Sequence, residues 1–180
     1  MPPSNTYFGE KMKKIATAAL AATLLISCAP IANSADKNPY GTSTVDPAGP
    51  TEVIFTVSKG NREADFTVSR LMKMKSSTIS IYEPFVKKRQ TFTVVPMKNF
   101  FVLAGISGSD KVVTAALNDY TYTNTAQKFI DAGAYIAIKR DGVAIPYDQG
   151  GPIRIVFSDK SKWAKYLDAW NWSLASISVK

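Results

Sequence analysis

The 180-residue sequence contains no histidine and a single cysteine, Cys28, which lies close to the N-terminus. The absence of histidine excludes a Ser-His-Asp triad, a Cys-His pair and histidine metal ligands. Because Cys28 precedes the segments that can fold, we expect the folded domain to lack disulfides, a thiol nucleophile and a thiolate metal ligand. Carboxylates, lysine, tyrosine and serine are the side chains left for chemistry, and their pattern identifies no catalytic or metal-binding set.

A basic segment and a short apolar segment follow one another near the N-terminus. Three lysines within residues 11–14 precede the apolar residues 15–26. The apolar run is too short to cross a bilayer comfortably and has the position of a secretory signal, for which Met12 is an alternative start. The pattern predicts a signal peptide over residues 1–35 and an exported, periplasmic protein.

Two processing sites are compatible with this signal. Residues 25–28, Leu-Ile-Ser-Cys, have the form of a lipobox, and cleavage there would leave a lipidated Cys28 and a membrane-anchored lipoprotein. The small residues 32–35 suit ordinary signal peptidase and are slightly favoured, because they form a suitable cleavage region. Membrane attachment is therefore expected only if Cys28 is lipidated.

The composition is that of one soluble globular domain with a basic surface. Hydrophobic residues make up 46% of the chain and charged residues 20%, and the formal net charge is +8. In an exported protein this charge favours an anionic small molecule or an envelope protein as partner, and it disfavours nucleic acid. An ordinary solvated basic surface explains the same charge.

Local patterns predict a β-rich α+β domain over residues 51–180, preceded by a flexible linker over residues 36–50 that is rich in small and polar residues. Alternation and β-branched runs predict strands over 52–58, 64–68, 77–82, 89–95, 112–117, 120–123, 135–139, 153–157 and 174–179. Helical spacing predicts helices over 70–75, 97–104, 126–132 and 159–169.

Two details of the C-terminal region depend on these periods. Ser158 is expected to cap the helix over residues 159–169. This helix would bury an aromatic stripe formed by Trp163, Tyr166, Leu167 and Trp170. In the last strand the expected inward face consists of Ala175, Ile177 and Val179.

The stretch from 135 to 157 is the centre of the sequence pattern. A strand over 135–139 stops at a turn that contains Gly142, since glycine takes positive φ without a Cβ penalty. Residues 150–152, Gly-Gly-Pro, then turn the chain into the strand over 153–157. That strand is apolar on both faces except at Arg154, and it is therefore predicted to be buried with one charge to satisfy.

A buried, unpaired guanidinium would destabilise the fold by several kcal/mol, so Arg154 is expected to reach solvent at an edge or to meet a carboxylate. Asp148 and Asp159 flank the strand and are the candidate partners. The alternative is that Arg154 belongs to an anion site, with Lys139 or Arg140 nearby and no carboxylate partner.

The motifs of this stretch resemble a known family. Lys-Arg-Asp-Gly at 139–142, Ile-Pro at 145–146 and Gly-Gly-Pro-Ile-Arg-Ile-Val at 150–156 are similar to the C-terminal half of the sulfite oxidase-type oxidoreductase molybdopterin-binding domain. The small, exported, stand-alone members are the most similar. Further segments fit in order, at 92–106, 116–120 and 170–179, so that the resemblance covers residues 51–180. It implies a mixed-sheet, barrel-like core with short helices.

The resemblance also implies cofactor-binding residues, and this chain lacks the cysteine, the histidine and the glycine-rich loop among them. In catalytic members a cysteine thiolate ligates molybdenum, and histidine, arginine and a glycine-rich, lysine-containing loop hold the pterin. The loop at 158–163 contains no glycine here. We therefore expect a non-catalytic module without a cofactor that binds a small ligand or a protein partner. The alternatives are a molybdopterin-dependent oxidoreductase without a cysteine ligand and a purely structural envelope protein.

Two polar turns of the matched segments are the candidate binding site, because sites are commonly built on turns that a rigid sheet supports. Together with the buried arginine, the candidate ligand-binding residues are Asn118, Asp119, Tyr120, Lys139, Arg140, Asp141 and Arg154. Ordinary turn chemistry explains the Asn-Asp and Asp-Gly pairs equally well.

Overall fold

The computed structural model of the chain describes residues 40–180. The predicted signal over 1–35 and Cys28 lie outside these residues. The strands are β1 (Val53–Lys59), β2 (Arg62–Thr67), β3 (Ser77–Glu83), β4 (Lys88–Pro96), β5 (Lys111–Ala116), β6 (Thr121–Thr125), β7 (Tyr135–Arg140), β8 (Arg154–Val156) and β9 (Leu174–Val179). The helices are α1 (Val68–Met72), α2 (Met97–Ala104) and α3 (Ala126–Asp131), with 3-10 turns at Tyr147–Gln149 and Leu167–Ala169.

These strands form two sheets. The five-stranded sheet has the order β2-β1-β9-β5-β6, and the four-stranded sheet has the order β3-β4-β7-β8. β1 pairs with β9 in parallel, whereas every other pair in both sheets is antiparallel. The predicted β-rich α+β fold with a mixed sheet and short helices is therefore confirmed. No helix within residues 40–180 is both long and apolar enough to span a membrane.

The helix α2 follows the spacing of its apolar residues. Met97, Phe100, Phe101 and Ala104 are all buried, and Gly105 ends the helix with a φ of 70°. The ring of Phe100 packs edge-on against two phenylalanines of β1 and β2, at centroid distances of 5.3 and 5.1 Å. Buried aromatic residues of this kind contribute about 3–5 kcal/mol each when truncation to alanine is the measure. This cluster anchors the core.

The first helix begins earlier than its predicted range of 70–75. The structure places α1 at Val68–Met72, because the Thr67 hydroxyl accepts the backbone N–H of Arg70 at 3.1 Å and caps the helix. The predicted cap, Ser69, lies inside the helix. Thr67 and Ser69, two residues apart, are both suitable cap residues by type, and Thr67 has the extended backbone and the hydrogen bond of the cap.

The predicted helix over 159–169 is wrong. Apart from the 3-10 turn at Leu167–Ala169, residues 158–166 form irregular turns, and Ser158 caps no helix. Asp159 Oδ1 accepts a backbone N–H of β3 at 2.7 Å. Ser161 Oγ donates to the carbonyl of the residue after α3 at 2.6 Å. These two tertiary bonds replace the local bonds that a helix would need.

The aromatic stripe of that predicted helix is only half correct. Trp170 is buried and Trp163 packs against the core, but Tyr166 and Leu167 are 44% and 43% exposed. The indole N–H of Trp170 donates to the backbone carbonyl of Trp163 at 3.1 Å, so this contact holds the Trp170 side chain against the irregular segment without an α-helix.

The inward face of β9 also differs from the prediction. Leu174 and Ile177 are buried, whereas Ala175 and Val179 are half-buried. The pairing with β5 changes register at Ala116, which lies opposite Leu174. Such an irregularity shifts the alternation by one residue, and the simple period of two cannot show it.

Candidate functional site

Trp172 contacts two groups of residues that differ in chemistry. On one side lies an open depression of about 320 Å³, here called the aromatic cleft, which is lined by Phe85, Asn118, Tyr120, Leu167, Asp168, Trp170 and Trp172. On the other side lies the arginine cluster, which consists of Tyr40, Glu83, Arg140, Gln149 and Arg154.

The aromatic cleft is held in shape by a few specific contacts. The rings of Phe85 and Trp172 meet edge-on at 5.0 Å. The Tyr120 hydroxyl donates to the backbone carbonyl of Asp168 at 2.9 Å, and the Asn118 side chain accepts the Tyr120 N–H at 3.3 Å. Phe85 and Tyr120 are 44% and 42% exposed, so the walls of the cleft present aromatic surface to solvent.

The turn that carries Tyr120 has a strained backbone at one position. Asp119 adopts a φ of 65°, in the left-handed region, between β5 and β6. Burial raises the pKa of Tyr120, and the charge of Asp168 raises that pKa further. The hydroxyl therefore stays protonated at neutral pH and remains a donor to the Asp168 carbonyl.

The arginine cluster is built from the ends of two neighbouring strands. Arg140 ends β7 and Arg154 begins β8, and both are buried, at 6% and 0% exposure. Their guanidinium groups converge on Gln149. Arg154 Nη2 donates to the Gln149 carbonyl at 2.5 Å, Arg140 Nη1 donates to the same carbonyl at 3.4 Å, and Arg140 Nη2 donates to the Gln149 side chain.

Gly150 makes this arrangement sterically feasible. It has a φ of 79°, and a Cβ there would lie 2.7 Å from Arg154 Nη2 and 2.8 Å from the ring of Trp172. A side chain at this position would therefore push apart the two groups that stack on each other. The guanidinium carbon of Arg154 lies 4.3 Å from the centroid of Trp172, which is a desolvated cation-π contact.

Tyr40 covers the other side of the two arginines. The guanidinium carbon of Arg140 lies 3.9 Å from the Tyr40 ring centroid. The Tyr40 hydroxyl accepts from Arg154 Nη1 at 3.2 Å and donates to the Gln90 side chain at 2.8 Å. Residues 40–50, for which the sequence predicts a flexible linker, therefore begin with a residue that fills a buried site.

The carboxylate nearest to Arg154 is Glu83, at 3.9 Å between Nη1 and Oε1, and both side chains are fully buried. Burial raises the pKa of Glu83, while the N–H of Val86 and the charge of Arg154 lower it in part. Burial likewise lowers the pKa of Arg154. The pair satisfies the expectation that Arg154 meets a carboxylate, but the distance is long and the ion pair is weak in geometry.

The predicted partners of Arg154 are wrong. Asp148 accepts hydrogen bonds from Ser43 and from the N–H of Thr44, and Asp159 pairs with Arg89 at 2.8 Å. Glu83, the observed carboxylate, ends β3, and no local sequence signal connects it to β8. The alternative expectation is also met in part, since Arg140 lies beside Arg154.

The two predicted polar turns do not converge on one site. Asn118 and Tyr120 line the aromatic cleft, whereas Arg140 and Arg154 belong to the arginine cluster. The remaining three, Asp119, Lys139 and Asp141, line neither. Asp141 accepts the backbone N–H of Thr91 at 3.1 Å, Lys139 pairs in register with Thr93 of β4, and Asp119 shapes its turn.

Sequence reasoning missed the residues that join the two regions. Phe85, Gln149 and Tyr40 were not among the candidates. Trp170 was expected only as a core residue and in a matched segment, and Trp172 entered only as part of that segment. A Trp-Asn-Trp sequence just before a strand is the one signal that indicates Trp170 and Trp172. It places two indoles on a turn, where one can pack inward and the other can form a wall.

The family comparison covers nearly all of the described domain. The family model for the oxidoreductase molybdopterin binding domain matches residues 49–175. A search of curated proteins finds no match. Among solved structures, the crystal structure of the sulfane dehydrogenase SoxCD from Paracoccus pantotrophus aligns with a TM-score of 0.56 and 12% sequence identity.

That alignment covers 77% of this chain and 41% of the SoxCD chain, so the present chain spans less than half of its structural neighbour. At this identity the likeness shows the fold alone. The family match and the shared fold agree with the resemblance that the motifs around residues 139–156 predict. The chain belongs to the oxidoreductase molybdopterin-binding domain family.

Proposed function

We propose that this chain is an exported member of the family that binds a small ligand in the aromatic cleft and does not carry out redox catalysis. The observation that carries the proposal is the cleft itself, an open, aromatic-walled depression of about 320 Å³ with a polar amide and a carboxylate at its edge. A small number of polar groups in an apolar concave site is the usual form of a small-molecule site.

The donor set supports the absence of redox catalysis. Residues 40–180 contain no cysteine or histidine, and within them no three metal-ligating side chains lie close enough together to hold a metal ion. The residues present do not fit a thiolate-ligated molybdenum centre. In the loop at 158–163, Asp159 and Ser161 are already bonded to the domain, so they are not free to hold a pterin.

The lining of the cleft supports a particular ligand class. Four of the seven lining residues are aromatic, one is leucine, and the polar groups are Asn118 and Asp168. No lysine or arginine lines the cleft. A planar group that is neutral or positively charged can stack on the rings and bond the polar edge, whereas an anion would meet the carboxylate. The anionic ligand that the sequence predicts is therefore better matched to the arginine cluster.

Export is the part of the proposal that rests on sequence. The basic residues 11–14 and the apolar residues 15–26 support it. A fusion of residues 12–40 to a reporter that is active only outside the cytoplasm should be active. An inactive fusion would contradict export and would leave the cleft argument intact.

Ligand binding is tested by nuclear magnetic resonance on the full chain, with indole as a neutral probe and N-methylquinolinium as a cationic probe. We expect either probe to shift the indole N–H signals of Trp170 and Trp172. Tyr120→Ala should abolish the shift, because it removes one wall of the cleft. Tyr82→Ala is the matched control, since Tyr82 is an exposed tyrosine, at 51%, outside the cleft.

Redox function is tested by metal analysis of protein purified from its native envelope. We expect no molybdenum and one co-purifying small molecule that Tyr120→Ala loses. Stoichiometric molybdenum would overturn the proposal in favour of a molybdopterin-dependent oxidoreductase without a cysteine ligand. An envelope protein that co-purifies in place of a small molecule would identify the cleft as a protein-binding surface and would also overturn it.

A further inference from the structure

A second depression lies beside α3 and the segment that follows β8. It has a volume of about 390 Å³ and is here called the lysine groove, which is lined by Tyr122, Asn124, Lys128, Lys162, Trp163 and Tyr166. It shares no lining residue with the aromatic cleft, since residue 166 lines the groove whereas residues 167 and 168 line the cleft. The two depressions therefore border the same short segment, and the proposed function of the cleft does not depend on the groove.

Three aromatic rings form the wall of the lysine groove. The rings of Tyr122, Trp163 and Tyr166 stand at centroid distances of 6.0 Å from one another, at interplanar angles between 51° and 89°. The Trp163 ring is also packed against Phe129 and Phe157, at 5.4 and 5.7 Å. Tyr166, by contrast, is 44% exposed. The wall thus combines a fixed indole with accessible aromatic surface, which a flat ring can contact face-on or edge-on.

Hydrogen bonds hold the residues of the groove in place. Ser161 Oγ donates to the carbonyl of Ala132 at 2.6 Å and accepts the N–H of Trp163 at 3.0 Å, which fixes the loop against the end of α3. The Asn124 amide donates to the Tyr122 hydroxyl at 2.8 Å, and its Oδ1 accepts the following backbone N–H at 3.0 Å. These polar and aromatic groups therefore occupy fixed positions, and a pre-formed site loses little conformational entropy when a ligand binds.

The charge of the lysine groove is positive and has no carboxylate partner. Lys128 and Lys162 are both exposed, and neither forms a salt bridge in the described part of the chain. Among the six lining residues there is no carboxylate. The acidic residues nearest to the two lysines along the chain, Asp131 and Asp159, are bonded to other side chains. Both ammonium groups sit on flexible stems and are reached directly from solvent, so they can turn toward a bound anion.

We propose that the lysine groove binds an organic anion of the aryl carboxylate class. The ring of the ligand packs on Trp163 and Tyr166, and its carboxylate accepts from the ammonium groups of Lys128 and Lys162. An inorganic anion would leave the aromatic wall uncovered, and a neutral ring would leave both lysines without a partner, so ring and charge are required together. The aromatic cleft has the reverse preference, because Asp168 is its only charged lining residue.

The test titrates the full chain with naphthoate, which carries both the ring and the charge, with its neutral amide naphthamide, and with acetate, at constant ionic strength. The chain has three tryptophans, so the indole N–H signals in nuclear magnetic resonance separate Trp163 of the groove from Trp170 and Trp172 of the cleft. We expect naphthoate to shift the Trp163 signal and to bind about tenfold more tightly than naphthamide, because two exposed ion pairs contribute about that much. Acetate should bind more weakly than naphthoate.

Charge variants within one loop provide a matched comparison. Lys162→Gln removes a lining charge, whereas Lys165→Gln removes an exposed charge that does not line the groove. We expect Lys162→Gln, and likewise Lys128→Gln, to weaken naphthoate binding about two- to fivefold and to leave naphthamide binding unchanged. Lys165→Gln should change neither. Tyr166→Ala should weaken both ligands, because it removes ring surface. All four side chains are exposed, so these substitutions remove no core packing.

Three outcomes would overturn the inference. A Trp163 signal that naphthoate leaves unshifted, whether or not Trp170 and Trp172 respond, would show that the groove does not bind it. Equal affinities for naphthoate and naphthamide would show that the lysines do not recognise the carboxylate. An equal loss of affinity in Lys162→Gln and Lys165→Gln would assign the binding to the basic surface as a whole. The probes of the aromatic cleft are read from the other two indoles, so either proposal can fail while the other holds.

Discussion

The aromatic cleft and the arginine cluster share the indole of Trp172, but they differ in which groups are exposed to water. On the cleft side, Phe85 and Tyr120 are exposed by 44% and 42%, and water covers aromatic surface. On the other side, Arg140 and Arg154 are 6% and 0% exposed, and aromatic rings cover charge. A half-exposed aromatic ring loses only part of the free energy that full burial would contribute, whereas a buried charge without partners destabilises the fold strongly. The charged side is therefore closed and specific, and the apolar side can stay open.

The largest effect should come from removing charge on the closed side. We expect Arg154→Met to lower the free energy of unfolding by about 3–5 kcal/mol, because it leaves Glu83 buried without its cation. Denaturant unfolding measures this change. The double variant Arg154→Met with Glu83→Gln should recover part of the loss. Unchanged stability together with lost ligand binding would mean that Arg154 serves binding and not folding.

Replacing Trp172, which contacts both regions, should change both the stability of the fold and probe binding in the aromatic cleft. Trp172→Leu removes the ring that stacks on Arg154 at 4.3 Å and meets Phe85 at 5.0 Å. We expect a loss of about 2 kcal/mol in unfolding free energy, since a desolvated cation-π contact contributes about that much. Probe binding in the cleft should be lost as well. If Trp172→Leu alters only one of these two properties, the two regions are not coupled through this residue.

A change on the open side alone should have a smaller effect on stability. Phe85→Ala should lower the unfolding free energy by about 1 kcal/mol, because nearly half of the side chain is already exposed. It should abolish indole and quinolinium shifts while leaving the arginine Nε–H signals unchanged. Movement of the arginine signals would contradict the separation of the two regions.

The smallest effect concerns pH and the contacts of Asp148 with residues 43–44. The N–H of Thr44, followed by the Ser43 hydroxyl, lowers the pKa of Asp148 below its ordinary value of 3.8. A carboxyl with a lowered pKa stabilises the folded position of residues 43–44 above that ordinary value, and the contribution is lost as pH falls through the lowered pKa. We expect the Gly41 amide to exchange faster relative to the domain core in acid. Asp148→Asn should remove most of this pH dependence.

The sequence predicted the fold better than the site. The buried face of helix α2 follows from local spacing, and the existence of β3 and β9 follows from their β-branched and alternating residues, although a register shift changes the inward face of β9. The helix over 159–169 failed, since Asp159 and Ser161 form tertiary bonds whose partners lie far away in the chain. A local period cannot reveal such competition.

The residues predicted as one candidate site lie in two separate regions, because their positions also depend on contacts between residues far apart in the chain. Asn118 lies on a polar turn and Arg140 ends β7 just before another, but Asn118 lines the aromatic cleft whereas Arg140 belongs to the arginine cluster. The burial of Arg154 was predictable from its apolar neighbours. Its carboxylate, Glu83, was not, because β3 comes near β8 only through the arrangement of the whole sheet.

The parallel pairing of β1 with β9 has a consequence for synthesis. The strand β9 stands at the centre of the five-stranded sheet, between β1 and β5, although it is the last strand along the chain. A nascent chain that has emerged only as far as residue 173 therefore holds two separate hairpins with open inner edges. Such edges favour delayed closure and association with other chains. A chain truncated at residue 173 is therefore expected to aggregate, because it lacks the strand that pairs with both open edges.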